Sequence, residues 1–359
     1  MKKFLIVLSV IMIAAVIATC TIGCKKDPFI PDKLNVEEGS KPNFVNKILP
    51  DELTLINAGL ESGATEAEIK TAVLALFDAA DRIQREAELL FTISDGGGYA
   101  KTGAEGYMTV RGFYFRNGSG YYSQSAGEVT SANVGAVNAI GPARNMLDQL
   151  SRTYTADMQT FTREKAAKGS KAKKPDVTAY GDDFPYVKVD FSGCTKNEYN
   201  LEDWKVEARV LNQVGELSNF DFKADAIKDA EISYDDDEEF YTISFALDTG
   251  KKGTQAYDDV VNFARAGLRE ASTSDDLDYV VYNMTLEVWD NGYIRSVSSV
   301  ENWEATLKII GLSIEGVSDS KNKTTYYWDW DEIKDVIDDC NTYKNVESPE
   351  AFLAALKWF

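Results

Sequence analysis

Two long runs of β-forming residues, 281–289 and 293–307, stand on either side of Asp290-Asn291-Gly292. Asn-Gly supplies the positive-φ positions that let a tight turn follow the twist of paired strands. Strands of this length, joined this closely, commit the chain to an antiparallel sheet. Residues 241–247 strengthen the case, with large apolar side chains at the odd positions and small or polar ones at the even positions. Such alternation belongs to a strand that buries one face. A second hairpin is expected from 108–116 and 121–125 around Asn117-Gly118. Residues 186–191, 205–211 and 312–330 also have strand character.

Helices punctuate these strands. Thr65 and Glu68 form a capping box, and Ile69, Val73, Leu76, Phe77, Ala80, Ile83, Ala87 and Leu90 then recur at helical spacing. The pattern predicts an amphipathic helix over 65–91, ended by a turn at Gly96-Gly97-Gly98. A second helix is expected over 254–271 and a short one over 143–152. The C-terminal end reads as helix over 331–340, then 351–359 after a Ser348-Pro349 cap. Few β-α-β alternations occur, so the fold class is α+β with one extended antiparallel sheet.

The first residues give an address. Lys2 and Lys3 precede an apolar run from Phe4 to Ile17, then small residues and a cysteine at position 24. That order is a secretory signal, 1–23, and the cysteine at its end resembles the lipobox of bacterial lipoproteins. Cys24, preceded by Gly23, is the favoured lipidation site; Cys20, preceded by Thr19, is the alternative. An uncleaved anchor helix is the other reading of this segment. Residues 24–48 hold three of the eight prolines and little periodicity, which predicts a flexible tether ahead of a single body, 49–359. The membrane is thus an expected partner, through an N-terminal lipid on the extracytoplasmic side of the bacterial cell envelope.

Composition narrows the function. Loss of residues 1–23 takes the formal charge from −20 to −22, which disfavours nucleic acid and anionic headgroups. The basic cluster Arg163, Lys165, Lys168, Lys171, Lys173 and Lys174 lies in Gly/Ser/Ala-rich sequence and reads as a solvated loop near 163–180. The chain has no histidine, which removes Ser-His-Asp and Cys-His catalysis and imidazole-based zinc sites. No phosphate loop, dinucleotide fingerprint or nucleophile elbow occurs, so neither an enzyme nor a cofactor is expected; a glycosidase working with paired carboxylates is the enzyme alternative. Cys194 and Cys340 are either a disulfide pair or two separate buried thiols.

Together with the signal, the order of elements over 65–335 resembles the lipoprotein-carrier half-barrels of the LolA, LolB and LppX type. The segments DNGYIRSVSSVENWEATLKI and YNMTLEVW look like strands of such lipoproteins. The resemblance implies a large curved antiparallel sheet with amphipathic helices on its concave face. It also implies a lipid-anchored binding protein that holds a lipid, acyl chain or lipopeptide between sheet and helices. By size and phase, Leu76, Ile243, Phe245, Trp289 and Trp303 are the expected lining.

Other clusters point elsewhere. Trp328 and Trp330, with Asp329 and Asp331, could form a platform for a surface glycan; a structural or adhesive module is a further reading. Asp235-Asp236-Asp237-Glu238-Glu239 lacks the spacing of a calcium loop and reads as a solvated turn, so no metal is expected. Ser170/Lys173 and Ser318/Lys321 match a Ser-x-x-Lys spacing in polar, turn-like sequence and are set aside.

Overall fold

A computed structural model describes residues 38–102, 105–118, 120–133, 151–156, 159–163, 195–198, 222–271, 276–309, 312–338 and 345–356. Helices α1 (Pro50–Leu60) and α2 (Glu66–Glu86) lead into β1 (Leu89–Thr102), β2 (Glu105–Asn117) and β3 (Gly120–Asn133). Short strands β4 (Ser151–Ala156), β5 (Gln159–Arg163) and β6 (Thr195–Glu198) follow. Next come β7 (Ile227–Asp235), β8 (Phe240–Leu247), α3 (Gln255–Ala271), β9 (Leu277–Trp289), β10 (Ile294–Ile309) and β11 (Leu312–Tyr327). Helices α4 (Trp330–Asp338) and α5 (Pro349–Leu356) complete the described elements.

The eleven described strands form one antiparallel sheet in the order β6-β5-β4-β3-β2-β1-β11-β10-β9-β8-β7. The fold is α+β, with a curved, unclosed sheet and amphipathic helices on its concave face. The chain returns to the middle of the sheet at β11, which pairs with both β1 and β10. Edge strand β7 carries a register shift between Lys228 and Glu231, with Asp229 at φ 51°. A bulge at an edge twists that edge away from pairing with another chain.

Side chains alternate across the sheet, so register assigns each to a face. On the concave face Ile243, Phe245, Leu286, Val288, Leu90 and Tyr326 join Val73, Leu76, Phe77 and Ile83 of α2 and Tyr257, Val260 and Val261 of α3 in the larger core. Phe245 packs edge-on against Phe77 and Phe222, with ring centroids 6.3 and 4.8 Å away. The opposite face carries a second core. There Phe91, Ile93, Phe113, Phe115 and Tyr327 pack against Ile333 and Ile337 of α4 and Phe352 and Leu356 of α5. The C-terminal helices therefore lie across the sheet from α1, α2 and α3. Asn117 donates to Glu350 of α5 at 3.0 Å, while Arg116, one residue earlier, donates to the Gln84 carbonyl of α2.

Residues 38–48, expected within the tether, are fastened to the body. Glu38 pairs with Arg295 and Lys323, the Ser40 backbone N–H donates to Glu332, and Lys41 bridges Glu239 and Asp290. Partial burial works against ionisation of Glu38, but the Lys323 and Arg295 charges outweigh it and hold its carboxyl below the usual range. Further along, the Asn291 amide donates to the Pro42 carbonyl at 2.8 Å, and Phe44 packs on Tyr293. The strap therefore crosses the base of the sheet at the β9–β10 turn.

That turn is set by Gly292, at φ +91°. A Cβ there would stand 2.4 Å from Ile83 Cδ1 and 3.0 Å from Ile48 Cγ1, so conformation and space both demand glycine. Gly292→Ala is expected to destabilise the protein by about 1–3 kcal/mol in urea denaturation.

Several sequence expectations are corrected. Gly96-Gly97-Gly98 is the middle of β1, because β11 and β2 pair with it on either side. A Cβ at Gly96 would lie 2.0 Å from Asn322 Oδ1, so the close approach of that side chain explains the glycine. Helix α2 stops at Glu86, and Ala87 is already extended; the later apolar residues belong to a strand. The strand expected over 312–330 ends at Tyr327. The expected elements at 186–191 and 205–211, most of the helix at 143–152, the segments 1–23 and 24–37, Lys165 to Lys174, and Cys20, Cys24, Cys194 and Cys340 lie outside the described residues.

Candidate functional site

The concave face changes character along β9, β10, β11 and β1. Near the base, one row across these strands reads Leu286, Val297, Thr324 and Ser94. Four residues up, roughly 13 Å at strand rise, the row reads Tyr282, Glu301, Ser320 and Gly98. The next inward row reads Tyr279, Trp303, Ser318 and Ala100. Between these rows β10 and β9 slip by one residue at Asn302/Trp303, which keeps Trp303 facing inward beside Tyr279.

These upper rows are buried and polar. Glu301 is 2% exposed, Ser318 0%, Ser320 8% and Trp303 5%. Glu301 accepts one hydrogen bond, from the Ser299 hydroxyl at 3.4 Å. Burial pushes its carboxyl up to about 7, with that single hydroxyl acting in the other direction. Among the described residues no cation offsets the burial of Glu301. Tyr279 and Tyr282 flank it, and their phenols are pushed well above the usual range by burial first and by the Glu301 charge second. Among the described residues Trp303 Nε1, Ser318 Oγ and Ser320 Oγ have no hydrogen-bond partner. Each orphaned buried group costs about 1–3 kcal/mol, so a cluster of them in two adjacent rows requires an explanation.

Helix α3 braces this floor. The Tyr257 hydroxyl accepts the Tyr279 backbone N–H at 3.1 Å, and burial, then Asp278, pushes that phenol up to about 12. Arg265 spans Asp258 at 2.6 Å and Asp278 at 3.0 Å, tying α3 to the start of β9.

The expected lining residues divide. Leu76, Ile243 and Phe245 lie together in the concave-face core, and Trp303 lies farther up the same face. Trp289 belongs to the same core cluster but stands at the end of β9, paired with Phe240, where the Arg295 guanidinium lies 4.2 Å from the Phe240 ring centroid and 5.0 Å from that of Trp289. Sequence reasoning missed Glu301, Ser318, Ser320, Tyr279 and Tyr282. The available signal was phase: Val297, Ser299, Glu301, Trp303 and Ala305 alternate on one face of β10, and only one of them is charged.

The aromatic platform does not form. Trp328 is buried, stacks on Tyr326 at 5.8 Å and donates Nε1 to the Ile294 carbonyl at 2.6 Å. Trp330 opens α4 and packs instead toward Phe352, 6.2 Å away in the second core. Asp329 caps α4 by accepting the Glu332 backbone N–H at 2.9 Å, and Asp331 is exposed in that helix's first turn. The strand ends too soon for the two tryptophans to share a face. At the acidic turn, Asp235 Oδ1 accepts the N–H groups of Asp237 and Glu238, both at 2.9 Å, as a solvated hairpin turn does. Among the described residues no group of three or more acidic, cysteine or histidine side chains could hold a metal ion. None of their helices is long and apolar enough to cross a membrane.

No family model matches this sequence, and no curated protein matches it. Six chains of solved structures do match. One is a crystal structure provisionally named AttH, from Nitrosomonas europaea, 8% identical over 68% of this chain, with a TM-score of 0.19. The match covers 53% of that structure, so the chain spans about half its length.

Proposed function

We propose that the protein is a lipid-anchored, extracytoplasmic binding protein that holds an amphiphilic ligand against the concave face of its sheet. The supporting observation is that this face passes from an apolar core under α2 and α3 to buried hydrogen-bonding side chains left without partners. An acyl chain is matched by the first surface and a polar end by the second. The role is to hold the ligand by burial, without catalysis.

Two measurements test this reading. The full chain, made in a bacterium with alkyne-labelled palmitate, is expected to take up the label through Cys24 and to lose it in Cys24→Ser, while Cys20→Ser retains it. Retention of label in Cys24→Ser would exclude that anchor site. Native mass spectrometry of the purified protein is expected to show an added non-covalent mass that organic solvent releases as a lipid. A bare mass, with no octanol binding by calorimetry, would overturn the binding function.

A further inference from the structure

The proposed function leaves open which end group the upper rows receive. Four features bear on the answer. Glu301 and Ser320 are directly paired across β10 and β11, as are Trp303 and Ser318. Direct pairing brings Cβ atoms to about 4.5–5.5 Å, so the four side chains share one small patch. Next to them, at the paired position of β1, Gly98 stands opposite Ser320 and brings no side chain to the patch. Among the described residues Glu301, although buried, has only the Ser299 hydroxyl as partner and no cation beside it. Trp303 Nε1 is a donor only, and the two serine hydroxyls both donate and accept.

A buried acidic group flanked by orphaned donors is complementary to a charge of opposite sign carrying a nearby oxygen. An anionic head would meet the Glu301 carboxylate without a compensating cation, and a purely apolar end would leave every orphan unsatisfied. Building on the proposed function, we infer that Glu301, Trp303, Ser318 and Ser320 form the head-group site of the bound amphiphile. The site takes a cationic amine on Glu301, a neighbouring oxygen on the Trp303 indole N–H, and the remaining polar atoms on the serines.

The test uses the full chain in lipid nanodiscs, titrated calorimetrically at pH 8 with octylamine, octanol and octanoate, with empty nanodiscs as reference. Octylamine is expected to bind at least about ten-fold more tightly than either of the others, as charge-assisted hydrogen bonds do. Glu301→Gln should abolish that preference. Glycine octyl ester adds a carbonyl beside the amine and should gain roughly three- to ten-fold over octylamine. Trp303→Phe should remove that gain alone. Equal binding of the three probes, or an amine preference that survives Glu301→Gln, would overturn the head-group site and leave the apolar reading standing. Absence of binding by every probe above the empty-disc signal would overturn both.

Discussion

Replacing Glu301 by glutamine is expected to stabilise the unliganded protein by about 3 kcal/mol at pH 8 and to change little at pH 4. The sign follows from the proton balance. Below the ordinary carboxyl value of 4.5, Glu301 is protonated both folded and unfolded, and ionisation costs nothing. Between 4.5 and about 7 the unfolded chain loses the proton while the folded chain keeps it, so wild-type stability falls by roughly 1.4 kcal/mol per pH unit. Above about 7 both states are ionised and the whole penalty is present. Among the described residues Tyr279, Tyr282 and the Ser299 hydroxyl are the groups that bear on this carboxyl, and none of them supplies positive charge. Urea denaturation of both proteins from pH 4 to 8 checks the prediction. Parallel stability curves would mean that Glu301 does not bury its proton. An amine ligand bound at Glu301 should narrow the gap between the curves, because it compensates the same charge.

Trp328→Ala is expected to lose about 3–5 kcal/mol, near the top of the range for removal of a buried aromatic side chain. Its ring stacks on Tyr326 with an interplanar angle of 19° and meets Tyr293 edge-on at 5.1 Å. The substitution would also leave the Ile294 carbonyl without its indole donor, at the first residue of β10. Trp328→Phe restores part of the packing but not that hydrogen bond, and should recover about half of the loss. Trp330→Ala is the contrasting case. Trp330 is only half-buried and donates to the Glu347 carbonyl at 3.3 Å, so a loss of about 1–2 kcal/mol is expected. Denaturation midpoints compared under one condition separate the pair; equal losses would contradict the difference in burial.

Local rules read some elements well. The capping box at Thr65 and Glu68 opens α2, with both reciprocal hydrogen bonds formed. Residues 241–247 alternate inward and outward as the pattern requires, and the Asp290-Asn291-Gly292 turn joins two paired antiparallel strands as expected. Where the reading failed, tertiary contacts outweighed local propensity. The run Gly96-Gly97-Gly98 has the composition of a turn, but strands on both sides pair with its backbone and need no side chain from it. The second core was hidden because it joins α4 and α5 to β1 and β2, more than two hundred residues away. At the candidate site, Trp303 stood out by size and phase. Glu301 and the serines did not, because a polar residue within a strand usually faces water, and only register reveals that these face inward.

The strap at the base of the sheet has a mechanical consequence. An anchor at Cys24 would leave at most about 50 Å of chain before Glu38. Among the described residues, a pull from the N-terminal side first meets Glu38, which Arg295 and Lys323 hold on the two neighbouring central strands β10 and β11. From there the load passes to Glu332 on α4 and to Glu239 and Asp290 at the strand ends before it reaches α1. Tension is thus shared among separate ion pairs at the middle of the sheet. Among the described residues these pairs lie away from both border strands, β6 and β7, so a load carried by them does not peel the sheet from its margins.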